Sequence, residues 1–381
     1  MKIVIAPDSF KESLTALRVC EAVEKGIKTH FPNAGISKVP MADGGEGTVQ
    51  SLVDATGGEI IQTRVTGPLG KEVEAFYGIL GDRKTAVIEM AAASGLHHVP
   101  VDKRNPLITT TRGTGELILK ALDHKVKHII IGIGGSATND GGAGMAKALG
   151  AKLLDANGAE IKEGGGSLDQ LTAIDLTNLD SRLAKVKVEV ACDVDNPLTG
   201  ETGASAVFGP QKGATPDMVR QLDRNLAHYA AVIKKEMDIH IQNVPGAGAA
   251  GGLGGGLLAF LSAELKPGVD IVIEATQLES YIKDANLVIT GEGRIDGQTI
   301  YGKTPIGVAK TAKKHSVPVI AIAGSIGAGS EAVYEHGISA LFSVVPGAVT
   351  LSEALEKADE NIERTAKNVA SVVRLAIKQR T

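Results

Sequence analysis

Hydrophobic positions along the chain follow a rhythm in which short apolar runs alternate with helical periodicity. Residues 2–6 and 36–39 are apolar runs, and each precedes a segment in which apolar residues recur every three or four positions. Buried strands of a parallel sheet have such runs, and the amphipathic segments between them are typical of crossover helices. The pattern therefore predicts a β-α-β-α beginning, with helices over residues 14–27 and 48–55.

The rhythm changes between residues 60 and 90. Runs at 60–66, 73–80 and 85–90 are joined by turns too short for a helix, which permits antiparallel hairpins. The strand–helix alternation returns after residue 270, with strands predicted at 271–273, 287–290, 319–323 and 340–345 and a long final helix.

These two rhythms predict an α/β fold made of two α/β domains. Residues 1–58 and 268–381 are expected to form a discontinuous Rossmann/flavodoxin-like domain with a doubly wound parallel sheet. Residues 59–267 are expected to form an inserted mixed-sheet domain with antiparallel hairpins, with a cleft between the two domains. The pattern leaves the assignment of residues 111–150 open.

The predicted insertion contains an apolar run, residues 129–133, that breaks into a glycine-rich segment, 134–142, and resumes as a helix. Backbone N–H groups and a helix N-terminus after a buried strand favour an anion, and phosphate is the commonest one. The alternative is a tight turn in which Asp140 caps the helix and the glycines relieve crowding. Further along, the pattern predicts a hairpin at 153–161, a strand at 186–191, a helix at 218–237, and a turn at 246–256 leading into a helix at 257–265.

Composition and charge exclude several classes of function. The chain has 381 residues with 47 glycines, no Trp and a net charge of −4. Few aromatic residues and no basic block argue against a nucleic-acid or membrane partner. Cys20 and Cys192 lack metal-ligand spacing, and the first residues run straight into a strand, so we expect a reduced, cytoplasmic protein. Neither zinc chemistry nor a nucleophilic serine is supported by any spacing in the chain.

Polar residues cluster directly after the predicted strands. They are Asp8, Ser9 and Lys11; Asp43, Gly44, Gly45 and Glu46; Ser136, Thr138, Asn139 and Asp140; Asp193, Asp195 and Asn196; and the segment 291–305. Ligands of open parallel sheets bind beyond the carboxyl ends of the strands, and many carboxylates with few cations suit a magnesium–nucleotide site. The alternative, that Asp and Asn cap helices, explains each residue singly but explains five similar loops less well.

The segment 297–304 matches the spacing of a Walker A motif. In a true P-loop the motif follows its strand directly, whereas here residues 291–296 intervene, which argues against that fold. Pro305 favours a helix that begins at this point. We therefore predict that Lys303 lies near phosphate, without a P-loop fold.

Five segments, taken together and in order, resemble the type I glycerate kinase family. They are residues 6–13 (APDSFKES), 41–48 (MADGGEGT), 132–142 (GIGGSATNDGG), 192–198 (CDVDNPL) and 290–299 (TGEGRIDGQT). The resemblance implies two α/β domains with a cleft and ATP-dependent phosphorylation of D-glycerate to 2-phosphoglycerate, with 3-phosphoglycerate as the other product to consider. It does not carry residue roles with it.

Physical reasoning assigns the roles, since phosphoryl transfer requires positioning and charge neutralisation more than covalent help. The candidate catalytic residues are Asp8, Lys11, Asp193, Arg294 and Asp296. The candidate cofactor-binding residues, for ATP phosphates, are Gly134, Gly135, Ser136, Thr138, Asn139, Gly141, Gly142 and Lys303. The candidate substrate-binding residues are Ser9, Gly44, Gly45, Asn196, Gly291 and Glu292, and the candidate Mg²⁺ ligands are Asp43, Glu46 and Asp140.

Two other classes of function stay open at this point. One is an NAD(P)-dependent oxidoreductase of a small hydroxy acid, which the glycine spacing at 132–137 disfavours. The other is a non-enzymatic nucleotide or glycerate sensor, which would leave many polar strand ends unused. Expected partners are glycerate and ATP, and a homodimer is left open.

Overall fold

The computed structural model describes residues 1–378. The strands are β1 (Lys2–Ile5), β2 (Gly35–Lys38), β3 (Glu59–Thr66), β4 (Glu72–Ile79), β5 (Thr85–Glu89), β6 (His128–Gly132), β7 (Lys152–Leu154), β8 (Ala173–Asp175), β9 (Lys187–Ala191), β10 (Glu264–Lys266), β11 (Leu287–Ile295), β12 (Val319–Ile326) and β13 (Ala340–Ser343). The helices are α1 (Ala16–Lys28), α2 (Thr48–Thr56), α3 (Ala91–Ser94), α4 (Arg112–Asp123), α5 (Ala143–Ala148), α6 (Ala204–Phe208), α7 (Pro216–Met237), α8 (Ala249–Leu261), α9 (Gly268–Ala275), α10 (Leu278–Ile282), α11 (Thr304–Lys314), α12 (Ala332–Glu335), α13 (Leu351–Glu356) and α14 (Ala358–Lys378).

The chain divides into two compact units. The first unit comprises Met1–Asp43, Gln50–Gly57 and the described residues from Val269 to Lys378, and the second comprises Gly44–Val49 and Gly58–Gly268. Residues 111–150, which the sequence pattern leaves open, lie in the second unit.

The first unit is built on a parallel sheet. In the part of the chain that the structure describes, its strand order is β13-β12-β11-β1-β2. Val4 of β1 pairs with Val288 of β11 on one side and Ser37 of β2 on the other. α1 packs against α14 so closely that a Cβ at Gly26 would lie 2.4 Å from the Glu363 carbonyl oxygen. The predicted parallel α/β sheet is confirmed.

The second unit contains a mixed sheet with the order β10-β9-β6-β5-β4-β3, as far as the described residues go. β3, β4 and β5 pair antiparallel, whereas β5, β6, β9 and β10 pair parallel. The predicted hairpins are therefore confirmed. β6 lies in the middle of this sheet, and its residues from Ile129 to Gly132 are buried.

Two predicted elements were wrong. Residues 271–273, predicted as a strand, lie in α9, where exposed Asp270 and Glu274 recur one helical turn apart and the buried Val269 and Val272 occupy the other face. The helix predicted over 257–265 ends at Leu261, because Ser262 adopts a left-handed conformation, and β10 follows.

The hairpin predicted at 153–161 is confirmed. The Asp155 N–H donates to the Ala159 carbonyl oxygen at 2.8 Å, the Ile161 N–H donates to the Leu153 carbonyl oxygen at 2.9 Å, and an antiparallel bridge joins Leu154 to Glu160. The sequence pattern did not predict that β7 also pairs with β8.

Candidate active site

In the first unit, the segment after β1 meets the carboxyl-terminal half of β11 and the start of α11. The Asp8 N–H donates to the Gly291 carbonyl oxygen at 2.8 Å, which fixes the loop after β1 beside its neighbouring strand. The Asp8 carboxylate accepts a hydrogen bond of 2.6 Å from the hydroxyl of Thr304, the first residue of α11, and another of 2.6 Å from the Ser9 N–H. Two sequence-distant loops therefore position one carboxylate.

Burial changes the chemistry of that carboxylate. Although Asp8 keeps partial solvent exposure, desolvation by the surrounding protein raises its pKa from 3.8 to about 6. That value includes the repulsion from Asp43, which also raises the pKa, and the hydrogen bonds from Thr304 and Ser9, which lower it. Asp8 is consequently a stronger proton acceptor than an ordinary aspartate.

Glu292 is a second carboxylate of this kind. Its residue is 9% exposed, and it accepts a hydrogen bond of 2.9 Å from the Thr299 hydroxyl. Burial raises its pKa to about 7, and the charge of Lys303, whose Nζ lies 3.4 Å from Glu292 Oε2, opposes that shift. The negative charge of Asp8 adds to the increase. Asp8, Glu292, Thr299, Lys303 and Thr304 are called the carboxylate cluster below.

The remaining predicted residues of the first unit are more exposed. Arg294 Nε donates to Asp296 Oδ2 at 2.9 Å, and the Arg294 side chain is 66% exposed. The Gln298 N–H and then Arg294 lower the pKa of Asp296, which makes it a weaker proton acceptor than Asp8. Lys11 is exposed. Residues 296–303 separate β11 from α11, so the Walker-like segment ends at the helix but does not begin at the strand.

In the second unit, the short loop 44–47 packs on the carboxyl ends of β6 and β9. Gly44 has a φ of +91°, and a Cβ there would lie 2.5 Å from the Cβ of Ala191. A Cβ at Gly134 would lie 3.8 Å from the Cα of Gly45. Gly134 and Gly135 are exposed, as is Glu46. Predicted residues of two loops are thus brought together at this edge.

The polar side chains of the glycine-rich turn face inward. Ser136, Thr138 and Asn139 are all buried. The hydroxyls of Ser136 and Thr138 are hydrogen-bonded to each other at 3.0 Å, and the Asn139 side-chain amide donates to the Ser205 hydroxyl at 2.9 Å. Gly141 and Gly142 adopt positive φ in the interior. These residues hold the turn, and only Gly134 and Gly135 of it present backbone to solvent.

Asp140 has a structural role that departs from the metal ligation assigned to it. The residue is fully buried, and one of its carboxylate oxygens accepts from the N–H and hydroxyl of Thr111 at 2.9 Å and from the Gly144 N–H at 3.2 Å. The other oxygen accepts from the Gly142 N–H at 3.2 Å. Its acceptor capacity is used within the protein, which corresponds to the capping alternative.

The structure offers little support for a metal centre made of protein ligands alone. Across residues 1–378 no group of three or more His, Cys, Asp or Glu side chains is arranged to hold a metal ion, so Asp43, Glu46 and Asp140 do not form one. Asp193 accepts a hydrogen bond of 2.9 Å from the Gly268 N–H at the start of α9, and Asn196 donates to the Thr202 carbonyl oxygen at 2.7 Å. Both contacts stabilise local backbone.

Sequence reasoning missed two residues that the structure connects to these sites. Thr299 donates to Glu292, and Lys212 donates to the glycine-rich turn from a segment that carried no motif. In the Walker-like interpretation of residues 297–304, Thr304 would hold the metal. Its position as the first residue of α11 is what brings its hydroxyl to Asp8.

Comparison with known proteins decides the family. A family model described as the glycerate kinase family matches residues 3–374. The chain belongs to the glycerate kinase family. It is 66% identical over 376 residues to the glycerate kinase of Bacillus subtilis (strain 168), covering 99% of this chain and 98% of the relative. It is 59% identical over 378 residues to the glycerate 2-kinase of Escherichia coli (strain K12), covering 99% of each.

A solved structure agrees with this family membership. The crystal structure of a Salmonella typhimurium LT2 protein designated glycerate kinase 2 superposes with a TM-score of 0.93 at 56% identity, covering 99% of both chains. As a member of the glycerate kinase family, the chain is a kinase with a mixed α/β fold. None of the helices within residues 1–378 has the length and apolar character that crossing a membrane requires.

Proposed function

We propose that this kinase transfers the γ-phosphoryl group of ATP to the 2-hydroxyl of D-glycerate, which gives 2-phosphoglycerate and ADP. The family and the name of the Escherichia coli relative, a glycerate 2-kinase at 59% identity, support the substrate and the position. The observation that carries the chemistry is the Asp8 carboxylate, held by Thr304 and raised in pKa to about 6.

Asp8 is the general base of this proposal. Asp193 and Asp296 were the other candidates, but Asp193 bonds to the backbone at α9 and the pKa of Asp296 is lowered. In the transfer, the hydroxyl oxygen of glycerate forms a bond to the γ-phosphorus while the bond from that phosphorus to the β,γ-bridging oxygen breaks. The hydroxyl proton passes to Asp8, and the electron pair of the broken bond leaves with ADP. A base with a pKa near the working pH suits both acceptance and release of that proton.

Cations of the first unit neutralise the anions in this reaction. Lys303 lies beside Glu292 at the entrance of α11, where its ammonium meets phosphate oxygens. Lys11 and Arg294 are exposed and bind the glycerate carboxylate or the transferring phosphoryl group. Arg offers a planar fork of donors that matches a carboxylate, which makes Arg294 the more specific contact.

Mg²⁺ fits the donor chemistry of this region. Asp43 and Asp8 are hard oxygen donors whose mutual repulsion contributes to the raised pKa of Asp8, and a nearby dication relieves that repulsion. Mg²⁺ is usually bound by one or two carboxylates together with substrate phosphates, so a three-residue protein cage is not required. Asp43 would hold the ion, which when bound supplies neutralisation of the β- and γ-phosphate charge.

The glycine-rich turn of the second unit is proposed to bind ATP phosphates through its backbone. Gly134 and Gly135 have no side chains to block approach, and both are exposed. Ser136, Thr138 and Asn139 then act by holding the turn rather than by contacting the nucleotide. Gly44 is buried and packs on Ala191, so it lets the loop 44–47 lie close to this edge, and Gly45 beside it keeps partial exposure.

Product analysis tests the proposal directly. The purified protein is incubated with ATP, Mg²⁺ and D-glycerate, ADP is measured by a coupled assay, and the product is identified by phosphorus NMR. We expect 2-phosphoglycerate. D-lactate, which keeps the 2-hydroxyl, should be phosphorylated slowly, whereas 3-hydroxypropionate, which lacks it, should not. Formation of 3-phosphoglycerate would refute the position, and NAD(P) reduction without ADP release would refute the reaction.

A further inference from the structure

Lys212 is a lysine buried in the interior of the second unit. It ends a short helical turn, Pro210–Lys212, after α6, and the residue is 2% exposed. Its Nζ donates to the Thr138 carbonyl oxygen at 2.6 Å and to the Ser136 hydroxyl at 3.4 Å. Both acceptors belong to the glycine-rich turn, so the ammonium contacts the inner side of the loop whose outer side exposes Gly134 and Gly135.

No carboxylate balances this charge at contact distance among the described residues. Asp140 is the one charge that acts on Lys212, and it does so from beyond contact. Burial lowers the pKa of Lys212 to about 7, and the charge of Asp140 opposes that shift. An unpaired buried ammonium is costly to a fold, and an apolar side chain of similar length would fill the space without that cost. The lysine therefore has a use other than packing.

The backbone at the start of α8 packs against the same glycine-rich turn that Lys212 contacts. Ala250, Gly251 and Gly252 adopt three successive left-handed conformations inside α8. The Ala250 carbonyl oxygen accepts from the Ser136 hydroxyl at 3.2 Å, and the Gly251 carbonyl oxygen accepts from the Gly141 N–H at 3.1 Å. A left-handed alanine is strained, and a Cβ at Gly251 would lie 1.9 Å from the Thr138 carbonyl oxygen. Several segments thus converge on the Ser136 hydroxyl that Lys212 contacts.

We propose that Lys212 is a positioning residue for nucleotide binding. Its hydrogen bonds to Thr138 and Ser136 fix the buried side of the turn. The turn then holds the Gly134 and Gly135 N–H groups in the orientation in which they donate to phosphate oxygens, and the ammonium adds a positive charge on the buried side. This inference rests on the proposed function, in which the turn binds ATP. Lys212 does not touch the nucleotide.

The test separates nucleotide binding from folding and from chemistry. In Lys212→Met, KM for ATP and the dissociation constant for ADP, measured by calorimetry, should rise at least about tenfold, while KM for glycerate changes less than about twofold. Lys212→Gln, which keeps a donor but not the charge, should fall between Met and wild type.

Tyr229→Phe is the matched control. The Tyr229 ring packs against Gly141 from another direction, and its buried hydroxyl has no hydrogen-bond partner in the structure as described. Its removal should leave KM for ATP unchanged, although the substitution lies as deep in the same core. An increase equal to that of Lys212→Met would show that any core change near the turn weakens nucleotide binding, and would overturn the inference.

Two further outcomes decide the matter. A Lys212→Met protein that unfolds at lower temperature but binds ADP as wild type does would reduce Lys212 to a structural role. If Lys212→Met does not fold, Ser136→Ala removes the shared hydroxyl alone, and an unchanged ADP dissociation constant there overturns the inference. Failure of the proposed function is distinguishable, because wild-type protein would then release no ADP with glycerate, whereas ADP binding is measured without glycerate.

Discussion

The carboxylate cluster of the first unit and the glycine-rich turn of the second unit use similar residues in opposite ways. In the cluster, burial and a neighbouring carboxylate, Asp43 for Asp8 and Asp8 for Glu292, raise the pKa values, and each side chain remains partly accessible. In the turn, burial raises the pKa of Asp140 as well, but this carboxylate has no solvent exposure and accepts four hydrogen bonds from backbone and a hydroxyl. The carboxylate cluster keeps side chains that can exchange protons. In the glycine-rich turn, the buried side chains instead hold the backbone of Gly134 and Gly135 at the surface.

This difference shows how chemistry and binding are distributed along one chain. A carboxylate that moves a proton needs a pKa near the working pH and incomplete hydrogen bonding. A phosphate site made of amides needs a rigid backbone instead, and buried polar side chains supply that rigidity. Residue type alone therefore does not separate a catalytic aspartate from a structural one, whereas its hydrogen-bond partners do.

The largest expected effect is on Asp8. Asp8→Asn keeps an acceptor for Thr304 but removes the base, and we expect kcat to fall about 10³-fold, or about 4 kcal/mol. Steady-state kinetics with saturating ATP and D-glycerate measures the change. Circular dichroism and thermal unfolding control for the fold. A kcat within about threefold of wild type would remove Asp8 from the reaction.

Asp140→Asn should reverse the pattern, with a large loss of stability and a small effect on chemistry. An amide replaces one oxygen with a donor that faces N–H groups, so buried donors lose their acceptor, and we expect about 3 kcal/mol of unfolding free energy to be lost. Urea unfolding measures that loss. A stable variant that instead requires much more Mg²⁺ for activity would restore Asp140 to the metal set.

Lys303→Met probes the cation of the cluster. Lys303 approaches Glu292 at 3.4 Å and opposes the rise in the pKa of that carboxyl. We expect kcat/KM to fall about 100-fold, or about 2.7 kcal/mol, because phosphate charge is left unneutralised. Lys310→Met, an exposed lysine further along α11, is the matched control and should retain wild-type kinetics. Equal losses in both variants would indicate a general effect of surface charge.

Much of this architecture could be predicted from the sequence because the strands are short, buried and β-branched. The runs at 129–133 and 319–323 became β6 and β12 with small shifts of their ends. The run at 271–273 was wrongly predicted as a strand, because three consecutive apolar residues are compatible with both a strand and a helix. The polar residues at 270 and 274, one helical turn apart, favour the helix that the structure shows.

The candidate site was predictable only in part. Sequence order places Asp8 after β1 and Lys303 after β11, whereas Glu292, expected after a strand at 287–290, lies inside the longer β11. The hydroxyl of Thr304 reaches Asp8 only through tertiary structure. Lys212 carries no local signal, since its burial depends on contacts with Ser136 and Thr138, more than 70 residues away in sequence. The direction in which the turn's side chains point is likewise set by packing, which spacing does not encode.

The smallest expected effect is on stability as a function of pH, and its sign tests the cluster independently of activity. The folded protein raises the pKa of Asp8 from 3.8 to about 6 and that of Glu292 from 4.5 to about 7. Between these values the folded state binds more protons than the unfolded state, so this contribution is fully present only below the unfolded pKa values of 3.8 and 4.5 and is lost progressively until the pH exceeds about 6 for Asp8 and about 7 for Glu292.

Asp8→Asn removes the part of this pH-dependent loss of unfolding free energy that comes from Asp8, because the amide does not ionise. The variant's unfolding free energy relative to that of wild type should increase by about 1 kcal/mol between pH 5 and pH 8, because the uncharged amide is buried without repulsion from Asp43. Urea unfolding at both pH values measures the difference. Asp296→Asn is the control of opposite sign, since its carboxylate pKa is lowered and its substitution should bring no gain at pH 8. If the unfolding free energy at pH 8 increased for Asp296→Asn and not for Asp8→Asn, burial would not raise the pKa of Asp8. The contrast between the two regions would then lose its basis.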